Sequence, residues 1–101
     1  MPLAVTNVQI HFTRPRQGLF AMARVVLNDA LVLEGIGVHR KLDGGLRLTY
    51  PTRALPNGQD KTLFHPVVPA LSKAIEKAIF EKIVERQKDV AGHDRHRPSD
   101  D

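Results

Sequence analysis

The stretch LFAMARVVLNDALVLEGIGVH, residues 19–39, decides the fold. Leu19 to Leu27 reads as a strand that is apolar on both faces except at Arg24. Asn28-Asp29 follows as a tight-turn pair, because both residue types tolerate positive φ better than most. Ala30 to His39 then reads as the returning strand. Its alternation puts Val32, Ile36 and Val38 on one face and Leu31 and Leu33 on the other. Gly35 and Gly37 inside it mark a bulge or a close backbone approach. A hairpin apolar on both sides needs cover on both sides.

Working outward, Thr6, Val8, Ile10 and Phe12 alternate with Asn7, Gln9 and His11, the pattern of a half-buried strand. Thr13 to Gly18 breaks it with Pro15 and Gly18. On the other side, Leu42-Asp-Gly-Gly45 is a second hairpin turn, and Leu46, Leu48 and Tyr50 form the inward face of a fourth strand. Pro51 to Asp60 reads as a long loop, and Lys61 to Val67 as a short edge strand ended by Pro66. From Pro69 the period changes. Proline suits a first helical turn, where its missing N–H costs nothing. Leu71, Ala74, Ile75, Ala78, Ile79 and Ile83 recur at spacings of three and four and give one apolar stripe. Lys73, Lys77, Phe80, Val84 and Lys88 lie on another face, and Lys77 and Glu81 are placed to pair at i,i+4.

The expected fold is therefore α+β: an antiparallel β-sheet of four to five strands with one C-terminal helix packed on it. One helix covers one sheet face, and sheet edges also need protection. A homodimer paired through strands solves both problems, with Phe80 and Val84 as dimer-interface residues. The alternative is that those two side chains touch a loop of their own subunit. Residues 1–90 form a single domain in this reading. Residues 91–101, rich in His, Arg and Asp, read as a flexible polar tail.

The chain has 101 residues, and a domain of this size hides only about two-thirds of its unfolded surface. It has no cysteine, so disulfides, thiolate metal sites and cysteine nucleophiles are excluded. The N-terminus lacks a basic segment followed by an apolar run, and nothing approaches the roughly 20 apolar residues of a membrane span. A cytoplasmic protein with no membrane partner is the expectation. Net charge is +4, and it is uneven. Residues 1–68 hold eight Lys/Arg against four acids, while residues 69–101 hold seven of each. A basic half beside a balanced half is suited to a polyanion. The plainer reading is ordinary solubility charge.

No catalytic constellation is legible. His93 and His96 share a helical spacing but sit in the tail without a third ligand, so no metal or other cofactor is expected. His65 precedes proline and is expected to hold the loop or stand at the surface. Gly44-Gly45 is a hairpin turn with no helix after it, hence no phosphate loop. Neither an enzyme nor a small-molecule substrate is expected. Pro51, Pro56 and Asn57-Gly58 instead stiffen a loop that carries Arg53 and Lys61 on opposite limbs. Arginine offers a planar fork to phosphate oxygens and lysine a point charge. Arg14 and Arg16 flank Pro15, and Arg40-Lys41 precede the next turn; both pairs add longer-range attraction. Few aromatics border these loops, which favours backbone contact over base stacking.

The order of these segments resembles a known family. Thr6-Asn7-Val8, the Leu19–Asn28 strand, Gly35-Ile36-Gly37-Val38 and Asp43-Gly44-Gly45-Leu46 lead into Tyr50-Pro51-Thr52-Arg53. Pro56-Asn57-Gly58, Leu63-Phe64-His65-Pro66-Val67 and a helix with Ile75 and Ala78 complete it. This is similar to the SpoVG (stage V sporulation protein G, septation regulator) family over about residues 5–87. There the loop reads Pro-Ser-Lys-Arg-Thr-Pro-Asp-Gly. The resemblance implies a strand-mediated dimer and regulatory binding to DNA and RNA, linked to septation, sporulation or wider gene regulation. In that family, basic residues of the loop are implicated in DNA contact. Arg53 stands at the first of them, Ala54 replaces the second, and Lys61 matches a basic position after the glycine. Gly37 replaces an arginine of the third strand. A protein–protein interaction module of the division or regulatory machinery is the alternative reading.

Overall fold

Short connections set the sheet. Asn28 and Asp29 both have positive φ (53° and 51°), and Ala30 N donates to Leu27 O at 2.9 Å. These are the marks of a tight turn, with the two positive-φ residues at its centre, inside the three-residue connection between paired Leu27 and Leu31. In the computed structural model the described residues are 3–96, with side chains described through residue 88. The elements are β1 (Val5–Arg16), β2 (Leu19–Leu27), β3 (Leu31–Arg40), β4 (Leu46–Thr49), β5 (Thr52–Ala54), β6 (Asp60–Thr62) and α1 (Pro69–His96). The first four form one antiparallel sheet in the order β1-β2-β3-β4, and β5 and β6 pair only with each other. The α+β expectation holds: a four-stranded antiparallel sheet with a single C-terminal helix.

α1 covers one face of the sheet. Ile75, Ile79 and Ile83 are fully buried at i,i+4 spacing, and they meet Ile10, Ala21, Ala23, Val25, Leu27, Ile36 and Val38. Arg86 secures the helix to β1. Its Nη1 donates to Ile10 O at 2.9 Å, and its guanidinium lies 5.3 Å from the Phe12 ring centroid. Among the described residues of α1 the ion pair is Lys82–Glu85 at 3.0 Å, and the expected Lys77–Glu81 pair is not formed. Ala74, expected in the apolar stripe, is exposed.

Three expectations need correction. Leu33 pairs with Val25, and Ile36 pairs with Ala23. A bulge therefore falls at Glu34-Gly35, where Gly35 takes φ +85°. The extra residue reverses the alternation, so Leu31 and Leu33 share the face of Ile36 and Val38, and Val32 lies opposite. Next, β1 does not stop at Phe12. It bulges and continues to Arg16, so Arg14 and Arg16 belong to a strand end rather than a loop. Finally, Pro51–Asp60 is not an open loop, and no fifth strand joins the sheet edge. The segment folds back as the separate β5–β6 ribbon. The tail expectation for residues 91–101 falls on residues whose side chains lie outside those described, and α1 is bounded at His96.

Candidate nucleic-acid interface

The β5–β6 ribbon is built by local chemistry. At its base, Leu63 N donates to Pro51 O at 2.8 Å, and Tyr50 and Phe64 meet edge-on with centroids 6.0 Å apart. At its tip, Gly58 N donates to Leu55 O (2.9 Å) and Leu55 N donates to Gln59 O (2.7 Å). Pro56 has the fixed φ that the first central position of this turn wants, and Gly58 takes φ +87°, which side chains resist. Asn57 Oδ1 accepts from Gln59 N at 3.0 Å and locks the turn. The ribbon makes little contact with the other elements beyond its own pairing.

Within it the register is Thr52↔Thr62, Arg53↔Lys61 and Ala54↔Asp60. Arg53 and Lys61 are thus direct cross-strand neighbours on one face. Like charges so placed repel and cost stability. Strand alternation puts Leu55 and Gln59 on that same face, and Asp60 on the other with Thr52, Ala54 and Thr62. All six strand residues are exposed. Among the described residues neither cation forms an ion pair; the pairs present are Arg24–Glu34 (3.3 Å) and Lys82–Glu85. An open groove of about 620 Å³ is lined by Arg53, Leu55, Pro56, Lys61 and Leu63 together with Ala54 and Thr62.

The other four expected cations stand apart from the ribbon. Arg14 and Arg16 lie at the end of β1, Arg40 ends β3 and Lys41 follows it, all at one end of the sheet. Arg40 N donates to Gly18 O at 2.8 Å and joins the two turns. The Arg40 guanidinium lies 4.8 Å from the Phe20 ring centroid, a cation–π contact that orients it. A recess of about 510 Å³ there is lined by Gln17, Arg40, Lys41, Leu42, Asp43 and Arg47. Arg47 was not singled out from the sequence, because a lone cation in a short strand has no signal until pairing puts it opposite His39. The ribbon leaves the sheet beside Gly35, whose missing Cβ would lie 3.5 Å from Pro51 Cβ. Five residues of strand separate Gly35 from Arg40, roughly 17 Å.

Two half-buried polar residues lie near β4. His39 Nε2 and Thr49 Oγ1 are 2.9 Å apart, and His39 Nδ1 is buried without a hydrogen-bond partner. Burial, and secondarily the Arg47 charge, lowers the His39 pKa below 6.5. The Tyr50 hydroxyl is also buried without a partner, and burial followed by the Glu76 charge raises its pKa above 10.0. Of the expected interface residues, Phe80 is half-buried against the core, while Val84 is 58% exposed. His65 is exposed, with Nδ1 3.3 Å from Pro66 O. His93 and His96 lie outside the residues whose side chains are described. Among the described residues no three His, Asp or Glu cluster as metal ligands, and no helix is long and apolar enough to cross a membrane.

The fold and site define a small α+β module that holds a charged β-arm clear of its core. The SpoVG family model matches residues 3–85, and the chain belongs to the SpoVG family. It is similar to three bacterial proteins, each carrying the provisional name septation protein SpoVG. Against that of Treponema denticola it is 30% identical over 79 residues, covering 78% of this chain and 84% of the relative. Against that of Fusobacterium nucleatum it is 33% identical over 86 residues, covering 79% and 87%. Against that of Desulforudis audaxviator it is 29% identical over 79 residues, covering 78% and 89%. The resemblance read from the sequence is thereby confirmed.

Proposed function

We propose that this SpoVG-family chain is a regulatory nucleic-acid-binding protein that contacts phosphates of DNA and RNA through Arg53 and Lys61. The observation that carries the reading is their register. Two cations face each other across an exposed ribbon, against their mutual repulsion and without an acid on the same face. A phosphate between them relieves that repulsion. Arg14, Arg16, Arg40 and Lys41, joined by Arg47, form a second positive region that supplies longer-range attraction. The names of the relatives supply the biological setting, a role in septation.

The active form in this reading is a homodimer. The sheet face opposite α1 leaves Val32 41% exposed, and Val84 is bare on the helix. The long outer strand β1 offers an unpaired edge. A second copy covers these features and presents two ribbons to one nucleic acid. Sedimentation at micromolar concentration checks this, and a monomer there contradicts it.

The test of binding is anisotropy with random-sequence DNA and RNA pools on wild type and on Arg53→Ala/Lys61→Ala. Binding that weakens in the variant while the thermal midpoint stays put supports the reading. Wild type that binds neither pool at low salt contradicts it. In that case a protein partner retained after nuclease treatment identifies an interaction module instead.

A further inference from the structure

We infer that the β5–β6 ribbon enters the major groove of B-form duplex DNA and that Arg53 reads a guanine there, with Lys61 supplying charge beside it. The inference rests on the phosphate-binding reading and narrows it to one duplex form and one base contact.

The first argument is width. Two paired strands lie about 4.8 Å apart. With side chains they fit a B-DNA major groove about 12 Å wide, which admits a two-stranded ribbon. The minor groove, about 6 Å wide, does not hold both strands. The major groove of A-form RNA is deep and narrow, and side chains do not reach its bases.

The second argument is freedom combined with stiffness. Every strand residue of the ribbon is exposed, and the ribbon belongs to no larger sheet. Its base is fixed by the Leu63–Pro51 hydrogen bond and its tip by the Pro56-Asn57-Gly58 turn. Such an arm is already ordered before binding and loses little entropy in a groove.

The third argument is the distribution of chemistry between faces. Arg53 and Lys61 share one face of the ribbon, strand alternation adds Gln59 to it, and Asp60 is on the far face. Arginine forks onto the O6 and N7 atoms of guanine, the commonest specific contact in the major groove. No aromatic stands on this face. Tyr50 and Phe64 are tied edge-on to each other at the base, so a stacking platform for unpaired bases is missing. Duplex DNA therefore fits better than single strands.

The test begins with selection of duplexes from a random-sequence DNA pool by the full chain. The inference expects enrichment of a guanine whose replacement by another base weakens binding roughly 5- to 150-fold, the worth of one bidentate base contact, and whose replacement by 7-deazaguanine, which removes N7 and leaves O6, weakens it by a smaller factor. Arg53→Gln, whose amide matches adenine, should abolish that discrimination, and Arg53→Lys, which keeps the charge but loses the planar fork, should weaken it. The Arg53→Lys variant should keep most of the low-salt affinity, the circular dichroism spectrum and the thermal midpoint. A duplex RNA of the enriched sequence should compete poorly. Salt-dependent binding with no enriched sequence, or indifference to 7-deazaguanine, overturns the inference and leaves the phosphate-binding reading standing. A Glu-rich peptide that competes as well as the duplex also overturns it. Failure to bind any nucleic acid overturns both.

Discussion

Replacing Lys61 by Glu should make the ribbon more stable and the protein a worse binder. Arg53 and Lys61 are cross-strand partners. The hydrogen bonds at Leu55–Gln59 and Leu63–Pro51 lie two residues to either side. The antiparallel alternation then makes Arg53–Lys61 a hydrogen-bonded pair, with Cα atoms about 5.5 Å apart. Their charged heads splay beyond that, to roughly 8 Å. In water two like charges at that distance repel by about 0.5 kcal/mol, and salt reduces it. Glutamate reverses the sign, so the ribbon gains at most about 1 kcal/mol. Exchange of its amides should slow by up to about fivefold at equal global stability. Binding moves the other way. One phosphate contact is lost, and the salt slope for duplex DNA shrinks by about 0.9. The new carboxylate also repels phosphate, so low-salt affinity should fall more than tenfold. Exchange measured by mass spectrometry and anisotropy across salt read the two effects separately. Faster ribbon exchange refutes the register; unchanged affinity refutes the contact.

Three further outcomes test the scaffold. Ile79 is fully buried between α1 and the sheet, so Ile79→Ala should cost about 2–5 kcal/mol and lower Tm by roughly 10–40 °C; a drop of only a few degrees means that the helix does not pack there. A Cβ at Gly37 would stand 2.7 Å from Thr49 Oγ1 and 3.3 Å from His39 Nε2. Gly37→Ala should therefore displace the His39–Thr49 hydrogen bond and cost about 1–3 kcal/mol in denaturant titration, whereas a neutral result contradicts this contact. His39 has a folded pKa below 6.5. As pH falls through 6.5, the unfolded chain takes up its proton first, so the stability contribution is complete above 6.5 and is lost towards the lower folded value. His39→Gln should flatten the fall of Tm with acid over that window. Parallel curves for the two proteins would show that His39 is not involved.

The sequence carried the sheet and helix because their signals are local and strong. Asn28-Asp29 read as a turn, and both residues adopt positive φ. Ile75, Ile79 and Ile83 read as a stripe, and all three are buried. The misreadings came where pairing overrides alternation. Gly35 was recognisable as a bulge, but which face each later residue takes depends on where the extra residue falls, and only the partner strand decides that. Ala74 has the right spacing for the stripe yet lies exposed, beside the buried line of Ile75, Ile79 and Ile83 rather than on it.

The candidate site was half legible. Proline, asparagine and glycine marked the turn between Arg53 and Lys61, and that turn is present at Leu55–Gln59. The pairing of its limbs was not visible, because Thr52–Ala54 and Asp60–Thr62 are too short and polar for a strand pattern. The same pairing converts two cations on opposite limbs into direct neighbours. The second cationic group escaped unification for a similar reason. Arg14, Arg16, Arg40 and Arg47 are distant in sequence and meet only through hairpin turns at one end of the sheet.

The most direct measurement is the salt dependence of duplex DNA binding by wild type and by the variant with alanine at both Arg53 and Lys61. If the ribbon grips phosphate, the log–log slope of the variant should be shallower for each ribbon engaged, by roughly 1.8 where both cations meet phosphate and roughly 0.9 where Arg53 meets a guanine, with an unchanged thermal midpoint. Identical slopes and affinities for the two proteins would contradict the account.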